Sequence, residues 1–238
     1  SFLKREIPVY CGETTAVIVK TFSEITRSFE TNIEGLRFNT FQTGSRIRIG
    51  SLEVEPIHVD HSIPGSHGFI VHTSEGAVAY TGDFRMHGTK SKMTADFIEG
   101  AARAKPLAML CEGTNMIGAD TSTEEEVKAR IGRVVAGTPQ LVLANYRYSD
   151  VDRTRSLHEI AQSNQRKLAI SIRQAYMLKQ LERKKLDLPT IDAPELLIFR
   201  RGKKVFFNWE KEILDLANVI DARDVQRIQD RVILASSF

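Results

Sequence analysis

The chain has 238 residues, enough for one large domain or two small ones with a buried core each. Apolar residues make up 42% and charged residues 26%, proportions typical of a globular protein and unlike those of disordered or membrane-embedded chains. The formal net charge of +3 does not by itself indicate a nucleic-acid partner, because such a partner requires a clustered basic face.

No apolar run approaches the roughly 18 residues that would suggest a membrane span. Residues 1–5, Ser-Phe-Leu-Lys-Arg, do not resemble a secretory signal, so a cytoplasmic location is expected. Cys11 and Cys111 both lie in apolar, strand-like runs and are predicted to be buried small hydrophobes rather than a disulfide.

The first half is predicted to consist of short β-strands separated by Gly, Ser and Asn, with strands over residues 7–10, 46–49 and 52–59. Residues 69–73 and 77–81 flank a short glycine-containing turn and predict a β-hairpin. The second hairpin strand leads directly into Gly-Asp-Phe, so the carboxylate of Asp83 lies where a strand ends. Chemistry is common at such positions.

From about Thr121 helices alternate with short apolar strands, the pattern of a parallel α/β unit. A second domain is therefore expected to begin there, which divides the chain into residues 1–120 and 121–238. Helices are predicted from 122 or 123 to about 135, and over 150–161, 174–184 and 209–217. Strands are predicted over 141–144, 168–171, 196–199, 203–207 and 232–235.

Basic residues cluster at 147–155, 183–185 and 200–204. Charge runs of this kind are usually solvated faces, and each is only a candidate for contact with phosphate.

Five of the six histidines lie between His58 and His87, in the stretch that carries Asp83. Imidazole and carboxylate groups are the usual ligands of catalytic zinc. His61 follows an apolar strand and Asp83 follows the hairpin, so both side chains can emerge at one edge of a sheet. This spacing alone does not establish His61 and Asp83 as metal ligands, because an isolated histidine is more often a structural or surface residue.

Three segments together resemble a known family. Residues 60–66, Asp-His-Ser-Ile-Pro-Gly-Ser, and residues 80–85, Tyr-Thr-Gly-Asp-Phe-Arg, resemble the third and fourth metal-binding motifs of ribonuclease J and related β-CASP proteins of the metallo-β-lactamase superfamily. Residues 110–115, Leu-Cys-Glu-Gly-Thr-Asn, resemble the acidic motif of that family. Three motifs in the family's order are far more specific than any one of them.

The resemblance implies an α/β fold: part of a metallo-β-lactamase αββα sandwich followed by an α/β β-CASP domain with a mainly parallel sheet. It also implies two Zn²⁺ ions in a complete site, with His61 binding one metal and Asp83 bridging both. Glu112 would hold and orient a ligand or the catalytic histidine, as carboxylates next to metal ligands commonly do. His58, His67 and His72, like His87, fall outside the metal motifs.

The implied partner is single-stranded RNA, and the full-length protein is expected to be a homo-oligomer. Cationic grooves and aromatic faces commonly hold single-stranded RNA. The candidate RNA-binding residues are Asn115, Tyr146, Arg147, Arg153 and Arg155.

The chain departs from the family in lacking its His-x-His-x-Asp-His motif and its late histidine motifs. A catalytic zinc needs about three protein ligands, so this segment is expected to be inactive alone. The complete enzyme would process or degrade RNA by metal-assisted phosphodiester hydrolysis, as an exonuclease, an endonuclease or both. The alternatives are a β-CASP nuclease acting on DNA, a non-catalytic member that binds RNA or a partner, and a small-molecule metallohydrolase.

Overall fold

The structure is a computed structural model that describes residues 8–26, 33, 36–114, 122–202, 206–216 and 218–236. The chain divides into two compact units, unit 1 (Ser1–Glu125) and unit 2 (Glu126–Phe238). The assignment of these units to partial metallo-β-lactamase and β-CASP domains stays a prediction.

Unit 1 is built on a five-stranded sheet beside a small parallel pair. Its elements are β1 (Val9–Gly12), α1 (Glu13–Thr26), β2 (Phe38–Phe41), β3 (Ile47–Ile49), β4 (Leu52–His58), β5 (His67–His72), β6 (Ala77–Tyr80), α2 (Ser91–Ala104) and β7 (Ala108–Leu110). Strands β1 and β2 pair in parallel, and the larger sheet has the order β3-β4-β5-β6-β7. Neighbours in it are antiparallel except β6 and β7, which are parallel.

The predicted hairpin is confirmed as β5 and β6, which are in register from Phe69 opposite Tyr80 to His72 opposite Ala77. Alternation along the two strands brings Ile70 and Ala79, a cross-strand pair, into the core of unit 1. Helix α2 packs on them through Phe97. This core anchors the strands whose ends carry the candidate site.

Unit 2 is built on a parallel sheet. Its elements are α3 (Glu124–Gly137, starting at the end of unit 1), β8 (Val142–Asn145), α4 (Val151–Ser163), β9 (Lys167–Ser171), α5 (Ile172–Leu181), β10 (Leu196–Phe199), α6 (Asn208–Leu216), β11 (Val219–Ile220), α7 (Ala222–Arg227) and β12 (Val232–Ser236).

The strand order is β11-β10-β9-β12-β8, and every neighbouring pair is parallel. Leu168, Ile198 and Ile233 are fully buried, as expected for strands covered on both faces. The predicted α/β class with a mainly parallel sheet is confirmed. Because the strands are parallel, their carboxyl ends lie at one edge.

Some sequence predictions were incomplete or wrong. The first half carries strands β1 to β7, in agreement with its predicted β-rich pattern, but helices α1 and α2 were missed. In α1, β-branched residues such as Val17, Ile18 and Val19 lower helix propensity without preventing a packed helix. Of the predicted strand 203–207, residues 203–205 lie outside the described residues, and 206–207 are irregular. Strand β11 and helix α7 were missed.

The prediction that both cysteines are buried was also wrong. Cys11 is half-buried and Cys111 is exposed. Cys111 directly follows β7, an edge strand whose three residues are all exposed, so an apolar run there does not indicate burial.

Candidate functional site

A cavity of about 360 Å³ in unit 1 is lined by both His61 and Asp83. The sheet explains why. Strands β4 and β6 are each antiparallel to β5, so they run in the same direction, and the loops that follow them leave the sheet at the same edge. His61 is half-buried and Asp83 is exposed. His61 and Asp83 therefore open onto one space, and their role as metal ligands stays a prediction.

Glu112 follows β7, which is parallel to β6, so it reaches the same edge. Its Oε1 accepts a hydrogen bond from the backbone N–H of Phe84 at 3.0 Å. Its Oε2 accepts from the Thr114 hydroxyl at 2.5 Å and the Thr114 N–H at 3.3 Å. These donors, the Thr114 hydroxyl first, lower the pKa of Glu112, with a smaller contribution from the charge of His61. An ionised Glu112 thus holds the backbone next to Asp83.

A buried ion pair joins the two loops that carry His61 and Asp83. Arg85 Nε donates to Asp60 Oδ1 at 3.0 Å, and the two side chains are only 11% and 1% exposed. Asp60 Oδ2 accepts from the Lys90 N–H at 2.8 Å, and the Arg85 N–H donates to the Asp60 carbonyl at 2.8 Å. A Cβ on Gly88 would collide with both charged side chains, so glycine lets the loop close over the pair.

Thr94 and Glu124 complete this network. The Thr94 hydroxyl accepts from the Asp60 N–H at 2.9 Å and donates to the Arg85 carbonyl at 3.0 Å. Glu124 Oε1 lies 3.2 Å from Arg85 Nη1. Sequence analysis gave Asp60 and Arg85 no role, although each lies within two residues of a proposed ligand. The sequence feature that could have indicated this pair is the presence of opposite charges in the two motifs, Asp60 in residues 60–66 and Arg85 in residues 80–85.

His67, left outside the metal motifs, also lines the cavity. Its Nδ1 lies 2.8 Å from the Gly65 carbonyl and must carry the hydrogen, because the carbonyl only accepts. Its Nε2 is buried without a hydrogen-bond partner among the described residues. Burial first, and then the charge of His58, whose ring centroid is 4.1 Å away, lower the pKa of His67 to about 4; the Gly65 bond opposes them.

The described residues contain no group of three or more His, Cys, Asp and Glu side chains that could together hold a metal ion. His61 and Asp83 are thus brought together without a third ligand within the part of the chain that the structure describes.

The candidate RNA-binding residues differ in their surroundings. Asn115 lies outside the described residues. Tyr146 is half-buried, its hydroxyl lies 3.1 Å from Thr154 Oγ1, and burial raises its pKa. Arg155 is 11% exposed and lies 3.1 Å from Asp152, so this geometry gives no support to RNA binding by Arg155.

The other two candidates are more accessible. Arg147 is exposed, and Arg153 is half-buried on the first turn of α4. Both follow the carboxyl end of β8. Their role in binding RNA stays a prediction.

Sequence analysis missed a second cavity, of about 240 Å³, in unit 2. Arg173 and Arg201 line it with aromatic side chains. Arg201 belongs to the basic cluster at 200–204, which the sequence identified as a candidate for phosphate contact. Arg173 has no basic neighbours in the sequence, so nothing there indicated it.

The described residues contain no helix long and apolar enough to cross a membrane. No family model matches the chain. Among solved structures, a protein of unknown function from Enterococcus faecalis V583 is similar with a TM-score of 0.74 and 18% identity, over 99% of this chain and 54% of that one. At this identity the likeness supports the fold alone.

Curated relatives are more informative. Ribonuclease J of Sinorhizobium meliloti is 27% identical over 168 residues, covering 69% of this chain and 29% of the relative. Ribonuclease J 2 of Streptococcus pyogenes is 25% identical over 217 residues, covering 82% of this chain and 38% of the relative. The chain therefore spans about a third of the length of these relatives. By these similarities the chain resembles part of the ribonuclease J proteins.

Proposed function

We propose that the protein is a metal-dependent ribonuclease that hydrolyses phosphodiester bonds in RNA processing or decay. The observation that carries the proposal is the meeting of three loops at one edge of the unit 1 sheet, where His61, Asp83 and Glu112 follow β4, β6 and β7. Relatives named Ribonuclease J support RNA as the substrate class.

The two proposed ligands fit zinc by chemistry but not by number. An imidazole and a carboxylate are normal zinc ligands, whereas a catalytic site has about three protein ligands. The described residues offer no third member of the group. The described residues therefore do not form a complete zinc site, and a working site needs at least one further ligand.

The chain's own contribution is to hold His61 and Asp83 in place. Glu112 fixes the loop at Phe84 through an N–H bond of 3.0 Å. The buried pair of Asp60 and Arg85 fixes the residues beside both ligands. Preorganisation of this kind is what a metal site requires from its surroundings.

The test compares cleavage of a single-stranded RNA by the 238-residue chain and by the full-length gene product, with and without chelator. We expect cleavage only by the full-length product and only with a divalent metal. Asp83→Ala should lower the rate by about 10²-fold or more. The matched control is Asp96→Ala, an exposed carboxylate on α2, which should leave the rate unchanged. Chelator-resistant cleavage, or full activity of Asp83→Ala, would contradict the proposal.

A second candidate is a member of the family that binds RNA without cleaving it. The incomplete ligand set among the described residues favours it. It predicts RNA binding by the full-length product without cleavage at any metal concentration. A DNA oligomer of the same sequence, assayed in parallel, separates the ribonuclease from a nuclease acting on DNA.

A further inference from the structure

The cavity of about 240 Å³ in unit 2 opens at the carboxyl edge of the parallel sheet. Ser171 ends β9 and Phe199 ends β10, two neighbouring strands. Arg173 lies at the start of α5, Arg201 follows β10, and Phe206 precedes α6. Ligands of open parallel sheets commonly bind in the crevice beyond the carboxyl ends of the strands.

The cavity carries an excess of positive charge. Arg173 and Arg201 are exposed, and neither forms an ion pair with another described residue. The acidic residue of the lining, Glu210, is buried, and its Oε2 accepts from the Phe207 N–H at 2.7 Å at the start of α6. Two guanidinium groups that are not neutralised by carboxylates suit a phosphate, which they can contact through paired N–H donors.

The same cavity has an aromatic component. Phe199 and Phe206, both half-buried, lie on its lining beside the two arginines. Cationic groups combined with aromatic faces are the arrangement that binds single-stranded nucleic acid, because bases stack on rings while phosphates contact the cations. A volume near 240 Å³ is just below the roughly 300 Å³ at which pockets for drug-sized ligands begin, which suits a single nucleotide rather than a longer stretch of RNA.

We propose that this cavity binds one nucleotide of a single-stranded RNA, with its phosphate on Arg173 and Arg201 and its base against Phe199 and Phe206. The inference rests on the proposed function for its substrate class. It adds a binding site in unit 2, formed without any of the metal-motif residues.

The test measures fluorescence anisotropy of a 5′-fluorescein oligouridylate with the 238-residue chain, without added metal and over a series of salt concentrations. Arg173→Gln and Arg201→Gln should each weaken binding about tenfold, the loss expected for one hydrogen bond to a charged group. Each should also reduce the slope of log affinity against log salt by about 0.7, one phosphate contact on a single strand.

The matched control is Arg231→Gln. Arg231 is exposed and precedes β12, so it lies at the amino edge of the same sheet. Its substitution removes the same single positive charge as the two cavity variants. It should leave the salt slope unchanged. Phe206→Leu should weaken binding about fivefold or more, from lost stacking, with the wild-type slope. Circular dichroism checks that each variant is folded.

The outcomes separate this inference from the proposed function. No binding by the chain, or equal affinities and slopes for the two cavity variants and the control, overturns the cavity site even if the full-length product cleaves RNA. Loss of affinity and slope confined to Arg173→Gln and Arg201→Gln supports the site even if cleavage is never seen.

Discussion

Gly82 joins β6 to the loop of Asp83 in a conformation that favours glycine. Its φ is +59°, and a Cβ there would lie 2.6 Å from the carbonyl oxygen of His67. Gly82→Ala should therefore lower the free energy of unfolding by about 3 kcal/mol, from left-handed backbone strain and from overpacking. Urea unfolding monitored by circular dichroism measures the change.

Gly44 provides the matched control, since its φ is +75° but a Cβ would meet nothing within 4 Å. Gly44→Ala should lower the free energy of unfolding only through left-handed backbone strain, by about 1 kcal/mol. Equal costs at the two positions would show that the approach to His67 does not matter.

His67 should make stability depend on pH. Its pKa falls from 6.5 to about 4 on folding, so between these values the unfolded chain binds a proton that the folded chain does not. Stability from this group is present above about pH 6.5 and is lost as the pH falls towards 4, by at most about 1.4 kcal/mol per pH unit.

The measurement is urea unfolding at pH values from 7 to 4, for wild type and His67→Gln. The carboxylates titrate in both proteins. The difference between the two proteins in the slope of unfolding free energy against pH therefore reports His67 alone. A variant as steep as wild type between pH 6.5 and 4 would rule out His67 as the cause.

The loops that follow β4 and β6 are joined by the ion pair of Asp60 and Arg85. Its burial determines how much the pair contributes to the free energy of unfolding. Arg85→Gln leaves a 1% exposed carboxylate without its partner and should cost about 3 kcal/mol. Arg103 pairs with Glu99 at the same distance, 3.0 Å, but with side chains 69% and 71% exposed. Arg103→Gln should cost less than about 1 kcal/mol. Thermal unfolding of both variants provides the comparison, and similar losses would contradict it.

Elements were predictable where local pattern and tertiary packing agree. The hairpin of β5 and β6 was found because a glycine turn at Gly76 separates two apolar strands, and buried strands such as Leu196–Phe199 were found from their length. Helix α1 was not, because its run of Val and Ile satisfies strand propensity as well as the helical packing seen here.

Across the whole molecule, both five-stranded sheets end in an edge strand that exposes apolar side chains. Met109 on β7 is 62% exposed, and Leu143 on β8 is 68% exposed. Unpaired, apolar edges promote association, and lysine suppresses it. The double variant Met109→Lys, Leu143→Lys should associate less at high concentration in sedimentation velocity, with stability changed by no more than about 0.5 kcal/mol per site.

Ile233→Lys is the control, because Ile233 is fully buried on β12, an interior strand of the unit 2 sheet. The same substitution there should unfold unit 2, since burial of an unpaired charge costs far more than exposure of a lysine. Unchanged self-association of the double variant would show that the edges do not mediate it.

The sequence by itself determined the α/β class and the hairpin, because periodicity is a local property of the chain. The role of His61 and Asp83 as metal ligands stays a prediction from motif order. Only the tertiary structure decided that Asp60 and Arg85 form a buried pair, since a charge in a motif does not reveal its burial. It also decided that Arg173 and Arg201 share a cavity. That meeting depends on β9 and β10 being parallel neighbours, a long-range pairing that no local pattern encodes.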